Sequence, residues 1–223
     1  MIASSDITGL VLAGGRGSRM GGVDKGLQPF SGLPLARHAL QRLAPQVGGL
    51  LLNANRHLDT YRSWGVPVVA DTEADYPGPL AGFLAGLLHC PTPWLLAVPC
   101  DTPRFPADLA VRMAAAAHAA GAPLAVALAP DSEASDASQL EVQVQVRAQP
   151  AFCLIHRSLL PSLQRFVSEG GRKIDRWTAL HPLAQARFDQ AGDDPLAFAN
   201  ANTLAELQAL QALSPLPTDP ENG

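Results

Sequence analysis

The sequence predicts an α/β domain with a Rossmann-like three-layer arrangement, in which a mostly parallel mixed sheet carries helices on both faces. Three observations predict it. Over residues 1–130, short runs that are apolar throughout alternate with helical stretches, the pattern of strands buried on both faces. A glycine-rich loop follows the first of these runs directly. The 223 residues, 47% hydrophobic and 16% charged with a mean hydropathy of +0.08, suffice for one sizeable core and exclude a disordered chain or a charged coiled coil.

Residues 7–12 are short, apolar and followed by glycines, which predicts a buried strand. A helix over 35–43 places Leu35, Ala39, Leu40 and Leu43 on one face. Strands are expected at 49–53 and 66–70, separated by a short helix over 58–64. Pro77 and Pro79 mark the entry to a helix over 80–89, and a strand over 94–98 ends at Pro99. An alanine-rich helix over 108–120 closes on Gly121, a typical residue just past a helix C-terminus, and a strand follows over 124–129. Beyond it the pattern is less regular. Residues 131–138 read as an acidic surface loop, and 141–147 alternate polar and apolar as a half-exposed strand that pairs with 152–155 as a hairpin. Amphipathic helices are expected over 159–167 and 203–213, the second with Thr203 and Glu206 as a capping box. Residues 1–213 are therefore read as a single domain, and 214–223, with three prolines, as a flexible C-terminal tail.

Composition narrows the partners. A formal charge of −4 offers no basic excess to neutralise a nucleic-acid backbone, so no nucleic acid is expected. The longest apolar run, 80–88, is about half of what a membrane helix needs, and no positive segment precedes an apolar leader, so no membrane is expected either. Cys90, Cys100 and Cys153 lack CxxC spacing and suit reduced thiols, hence a cytoplasmic location. The histidines at 38, 57, 89, 118, 156 and 181 form no HxxxH or HExxH pair, and no GxSxG elbow occurs.

Ligands of a parallel sheet lie beyond the carboxyl ends of its strands, which selects the loops 13–26, 53–56, 71–79 and 99–103. The first is the most informative. Gly14, Gly15, Gly17, Gly21 and Gly22 share it with Arg16, Arg19 and Lys25. Glycines let backbone N–H groups approach phosphate oxygens, and the cations supply the matching charge. Taken alone, such a loop is either a phosphate cradle or a flexible charged surface loop; its place after an apolar strand favours the cradle. It is not a dinucleotide fingerprint, because Met20 stands where GxGxxG from Gly15 needs its third glycine. Nor is it a Walker A loop, since Lys25 lies between Asp24 and Gly26.

The run Leu12-Ala13-Gly14-Gly15-x-Gly17-x-Arg19-Met20-Gly21-x-x-Asp24-Lys25 resembles the signature of the nucleoside-triphosphate-dependent nucleotidyltransferases. Within that superfamily it is most similar to the bacterial molybdenum cofactor guanylyltransferases. Four later motifs carry the same resemblance: Asn53-Ala54-Asn55-Arg56, the segment from Asp75 to Gly82, Pro99-Cys100-Asp101-Thr102-Pro103, and Asn200-Ala201-Asn202-Thr203.

The resemblance implies transfer of GMP from GTP to the terminal phosphate of Mo-molybdopterin, giving the guanine dinucleotide cofactor and pyrophosphate. It implies that Leu12, Ala13, Gly14 and Gly15 hold the nucleotide through the main chain, that Arg19 and Lys25 meet the triphosphate, and that Asn53 and Asp71 contact the nucleoside. Asp101 would hold Mg²⁺ and act with Arg19 and Lys25 in catalysis. Asn200 and Asn202 would lie on the pterin side, and Arg172, Lys173 and Arg176 form either a site for the pterin phosphate or a solvated charged face. Molybdoenzyme chaperones or cofactor-insertion proteins are the implied protein partners. The same fold and metal would also serve a pterin cytidylyltransferase or a sugar-phosphate nucleotidyltransferase, and a non-catalytic nucleotide-binding chaperone is the alternative of another class. The Leu-Ala-Gly-Gly start and Pro-Cys-Asp-Thr-Pro favour guanine, and retention of Lys25 and Asp101 favours catalysis. One departure stands out: Gln149-Pro150-Ala151 occupies the place where the family often has His-Pro-Thr.

Overall fold

The computed structural model of the chain describes residues 1–14, 23–71, 78–131, 145–201 and 203–212. Gly15, Arg19, Asn202, the expected loop over 132–138 and the tail over 214–223 lie outside the described residues. In chain order the strands are β1 (Ile7–Leu12), β2 (Pro29–Phe30), β3 (Leu33–Pro34), β4 (Gly49–Asn53), β5 (Val68–Val69), β6 (Trp94–Pro99), β7 (Leu124–Pro130), β8 (Val146–His156) and β9 (Leu183–Arg187). The α-helices are α1 (Leu35–Leu43), α2 (Leu58–Arg62), α3 (Pro79–His89), α4 (Leu109–Ala120), α5 (Leu160–Ser168), α6 (Ile174–Thr178) and α7 (Leu204–Ala212). The main sheet has seven strands in the order β5-β4-β1-β6-β8-β7-β9, and β2 and β3 form a separate two-stranded ribbon.

The apolar strands divide their side chains between two cores, which is why they read as unbroken hydrophobic runs. Ile7 and Val11 of β1, Leu52 of β4, and Leu96 and Val98 of β6 face a layer made by α1 and α4. Leu10, Leu51, Leu95 and Ala97 point the other way, into a layer built by α3, α5 and α6 around the fully buried Trp177. The period-two alternation of a strand puts successive residues in opposite layers, and each fully buried Leu or Ile contributes about 1.5–3 kcal/mol. The expected three-layer mixed sheet is thus the observed one.

Parallel pairing joins β1 to β4 and β6, β4 to β5, and β7 to β9; β8 runs antiparallel between β6 and β7. The expected hairpin between 141–147 and 152–155 is not formed. Residues 141–144 lie outside the described residues, and residues 146–147 and 152–155 both belong to the single strand β8. Its register on β7 jumps from Val126↔Cys153 to Ala127↔Gln149, leaving Pro150, Ala151 and Phe152 without ladder partners. Pro150 has no N–H to give to a ladder, so the strand bulges there instead of turning. The bulge aims Phe152 into the core, edge-on to Phe198 at 4.8 Å between ring centroids. Strand β9 carries no apolar run in its sequence, Leu-Ala-Gln-Ala-Arg; it pairs along β7 at the sheet edge, with Ala184 and Ala186 buried in the core shared with α4.

Helix ends follow their local chemistry. Gly121 adopts φ 57° at the C-terminus of α4, and Thr203 Oγ1 accepts a 3.1 Å bond from the Glu206 N–H at the start of α7. A third, smaller core of Phe30, Leu35, Ala199, Ala201, Leu207 and Leu210 docks the C-terminal segment on the β2–β3 ribbon and the first turn of α1.

Candidate active site

Sheet register alone gathers most of the expected residues. Leu12 stands opposite Asn53 on one side and Pro99 on the other, and Asn53 stands opposite Val69. Four strands therefore end in one row, and the residues just past them, Ala13, Gly14, Asp71 and Asp101, emerge along the same carboxyl edge. The edge is sealed by main-chain bonds from Ala13 N to Asn53 O at 2.8 Å and from Cys100 N to Leu12 O at 3.1 Å.

One end of this row is an amide–carboxylate cluster. Asn53 is 3% exposed, and its Nδ2 donates to Val69 O at 3.2 Å and to Asp71 Oδ1 at 2.9 Å. Two glycines make room for it. A Cβ on Gly14 would lie 2.8 Å from Asn53 Oδ1, and one on Gly82 would lie 2.6 Å from the same atom. Asn55, which the sequence reading left without a role, reaches across to donate from Nδ2 to Asp71 Oδ2 at 2.7 Å and to Gly14 O at 3.2 Å.

At the other end lies a charged pair. Lys25 Nζ stands 2.7 Å from Asp101 Oδ2, with the two side chains 20% and 24% exposed. Lys25 opens a 3₁₀ turn (Lys25–Leu27) whose preceding residue, Asp24, is 5% exposed. Asp24 Oδ1 accepts from Gly26 N at 3.1 Å and from the hydroxyl of the fully buried Tyr61 at 2.8 Å. Burial, reinforced by this bond to Asp24, holds the Tyr61 hydroxyl protonated well above the ordinary tyrosine range, so it remains the donor. Gly26 is required here because a Cβ would meet Tyr61 Oη at 2.5 Å.

The C-terminal segment reaches the same pair. Ala201 N donates to Asp101 O at 2.9 Å, and the buried Thr102 donates from Oγ1 to Asn200 Oδ1 at 2.6 Å. Arg104 Nη2 lies 2.8 Å from Asp194 Oδ2, which ties the residues after Asp101 to those before Asn200. Asn200 is thereby held beside Asp101, with its amide oxygen engaged and its amide nitrogen suited to donate to an anion. Cys100 next door is packing: burial, with Asp101 close by, pushes its thiol far above the ordinary range.

The basic residues Arg172, Lys173 and Arg176 border a cavity of about 470 Å³ with Phe166 and Glu169. It adjoins the entry of α3, where Gly78 faces Arg172 O. The structure thus brings together Leu12, Ala13, Gly14, Asn53 and Asp71 in one cluster, and Lys25, Asp101 and Asn200 in the other. Sequence reasoning missed Asn55, Thr102, Asp24 and Tyr61 as parts of the site. Asn55 carried a signal, since two asparagines spaced by two at a strand end share a face; Tyr61 carried none, being 37 residues from its partner.

The residues suit Mg²⁺. That ion is bound through one or two carboxylates together with phosphate oxygens and water, and Asp101 offers a hard oxygen ligand at the row's edge. Among the described residues no group of three or more His, Cys, Asp or Glu side chains could hold a metal ion by itself.

Gly14 and a lysine–aspartate pair at the carboxyl edge of a mostly parallel sheet, beside a cluster of side-chain amides, define a nucleotide-handling α/β protein of the nucleotidyltransferase class. The family described as the MobA-like NTP transferase domain matches residues 9–186. Molybdenum cofactor guanylyltransferases from Acidovorax ebreus and Albidiferax ferrireducens are 63% and 59% identical, covering 96% and 95% of this chain and 99% and 98% of theirs. The crystal structure of the molybdopterin-guanine dinucleotide biosynthesis protein A from Archaeoglobus fulgidus shares the fold, with a TM-score of 0.69 at 18% identity over 92% of this chain and 97% of that one. The chain belongs to the molybdenum cofactor guanylyltransferase family.

Proposed function

We propose that this chain transfers GMP from GTP to the terminal phosphate of Mo-molybdopterin, releasing pyrophosphate, with residues 1–213 acting as one domain. The observation that carries the reading is the Lys25–Asp101 pair, set between the amide cluster on one side and Asn200 on the other. The reaction asks for alignment of two polyanions more than for covalent chemistry. The acceptor phosphate is already an anion near neutral pH, so no general base is needed.

The cluster of Asn53, Asp71 and the Gly14 main chain supports the nucleoside end of GTP, which leaves the triphosphate to run along the edge toward Lys25. The Lys25–Asp101 pair keeps partial access to solvent, so an incoming triphosphate can exchange for one partner through charge-assisted bonds to Lys25. Lys25, with Arg19 from the glycine loop, then meets phosphate oxygens while Asp101 faces the metal. Mg²⁺ held by Asp101 would neutralise charge on the α-phosphate and the leaving pyrophosphate. Asn200, steadied by Thr102, and Asn202 orient the acceptor phosphate for in-line attack. The product would pass to molybdoenzyme chaperones or cofactor-insertion proteins, and three buried free thiols suit a reducing cytoplasm.

The test is Asp101→Asn in single-turnover GMP transfer across a Mg²⁺ titration, with calorimetric GTP and CTP binding alongside. Asparagine keeps the size of the side chain and leaves the main-chain bond to Ala201 intact, so the fold should hold. Transfer should fall at least about a hundredfold, a loss on the order of 3 kcal/mol of transition-state stabilisation. GTP should bind at least about tenfold more tightly than CTP. A stable variant transferring GMP at the wild-type rate would remove Asp101 from the mechanism.

A further inference from the structure

The Asn55 side chain is exposed, yet its placement is fixed by three bonds that all lead to the nucleoside end of the site. Its Nδ2 donates to Asp71 Oδ2 at 2.7 Å and to Gly14 O at 3.2 Å, while its Oδ1 accepts from Asp71 N at 2.8 Å. Asp71 is therefore gripped twice by one amide, through its main chain and its carboxylate. The other carboxylate oxygen is taken by Asn53 Nδ2 at 2.9 Å. With each oxygen receiving one amide N–H, the plane of the Asp71 carboxylate cannot turn, and its remaining lone pairs point in fixed directions. Gly14 O is drawn into the same array by the second N–H of Asn55.

We infer that Asn55 is a positioning residue for nucleoside selectivity: it locks the Asp71 carboxylate and the Gly14 carbonyl into an acceptor array matched to two adjacent donors on the nucleotide. This rests on the proposed use of GTP and deepens it. An array of acceptors selects a ligand that presents paired donors. On GTP two such pairs exist, the N1–H and 2-amino group of guanine and the 2′- and 3′-hydroxyls of ribose. A carboxylate free to rotate would accept from either pair, or from water, with little preference; a fixed one rewards a single geometry.

The experiment measures binding of GTP, ITP and 2′-deoxy-GTP, each with Mg²⁺, to wild type, Asn55→Ala and Asn55→Asp, with steady-state kinetics and thermal unfolding alongside. ITP lacks the 2-amino group and 2′-deoxy-GTP one hydroxyl, so the arm that matters identifies the donor pair. In wild type, one analogue should bind about tenfold more weakly than GTP, as expected for a lost bond to a charged group. In Asn55→Ala, GTP should weaken by about tenfold and that preference should shrink to about twofold, with KM for GTP raised and kcat within about twofold of wild type. Asn55→Asp is nearly isosteric, but it sets a second carboxylate against Asp71 Oδ2, so it should bind GTP more weakly than the alanine variant. A residue that merely supported the loop would weaken all three nucleotides by one factor and would tolerate aspartate better than alanine; either result overturns the inference, as does unchanged GTP binding in Asn55→Ala. Failure of the wild type to bind GTP at all would instead overturn the functional reading beneath it.

Discussion

Replacing Gly82 by alanine sets two effects of opposite sign against each other, and the structure decides between them. Gly82 lies inside α3, where alanine is favoured over glycine by about 1 kcal/mol through helix propensity alone. Its new Cβ, however, would stand 2.6 Å from Asn53 Oδ1 and 2.6 Å from Leu12 Cδ2. Leu12 can move the end of its side chain. Asn53 cannot give as easily, because its amide is bonded to Val69 O and Asp71 Oδ1 and the residue is buried. Overpacking costs about 1–3 kcal/mol, and strain on the bond from Asn53 to the Asp71 carboxylate adds to it, so strain outweighs propensity. A net loss of about 1–2 kcal/mol should lower Tm by about 2–8 °C for a chain of this size. GTP affinity, measured by calorimetry, should fall at least about tenfold as the amide cluster shifts. Gly86→Ala, one turn further along α3, provides the control. Its Cβ would meet Leu10 Cδ2 at 2.5 Å and Leu95 Cδ2 at 2.9 Å, both core side chains, so it should lose stability to a similar extent and keep its GTP affinity. A Gly82→Ala protein that binds GTP as wild type does, or a Gly86→Ala protein that loses binding equally, would refute the reasoning.

Two further outcomes are expected. Tyr61→Phe removes one of the two donors that reach Asp24 Oδ1 and should cost about 1.5–3 kcal/mol in urea unfolding, with kcat lowered because the turn carrying Lys25 loosens; an unchanged midpoint would show that the Tyr61–Asp24 bond contributes nothing. Asn200→Asp keeps an acceptor for the Thr102 hydroxyl but adds a charge where the acceptor phosphate is proposed to lie, so KM for the pterin should rise about tenfold while GTP affinity holds; loss of GTP affinity with an unchanged pterin KM would place Asn200 on the nucleotide side.

The two clusters differ in what sets their geometry. Around Asn53 and Asp71, polar atoms are fixed by hydrogen bonds from side-chain amides at the strand ends. Around Lys25 and Asp101, a partly solvated pair stands on two anchored turns, one held by Asp24 and Tyr61 and the other by Thr102 and Ala201. Under the proposed function the side chains there would exchange partners while their main-chain supports stay still.

The sequence by itself determined whatever rests on neighbouring residues. Apolar runs marked β1, β4, β6 and β7, because a strand buried on both faces cannot hide its composition. Periodicity marked α1, glycine marked the end of α4, and Thr203 marked the start of α7, since each depends on contacts within a few residues. Ordered motifs singled out Leu12, Ala13, Gly14, Lys25, Asn53, Asp101 and Asn200, and the family resemblance added Asp71; all of them reach one edge of the sheet. Only the tertiary structure decided the rest. Residues 141–147 and 152–155 read as a hairpin, yet pairing with β6 and β7 on either side carried β8 through Pro150 as a bulge. The alanine-rich strand β9 has little β-propensity and exists because β7 offers it an edge to pair with. Asn55 meets Asp71 across 16 residues, Tyr61 meets Asp24 across 37, and Thr102 meets Asn200 across 98. A hydrogen bond has no sequence signature when its partners are brought together by strand order, because the register that aligns Leu12 with both Asn53 and Pro99 is a property of the packed sheet and of no single segment.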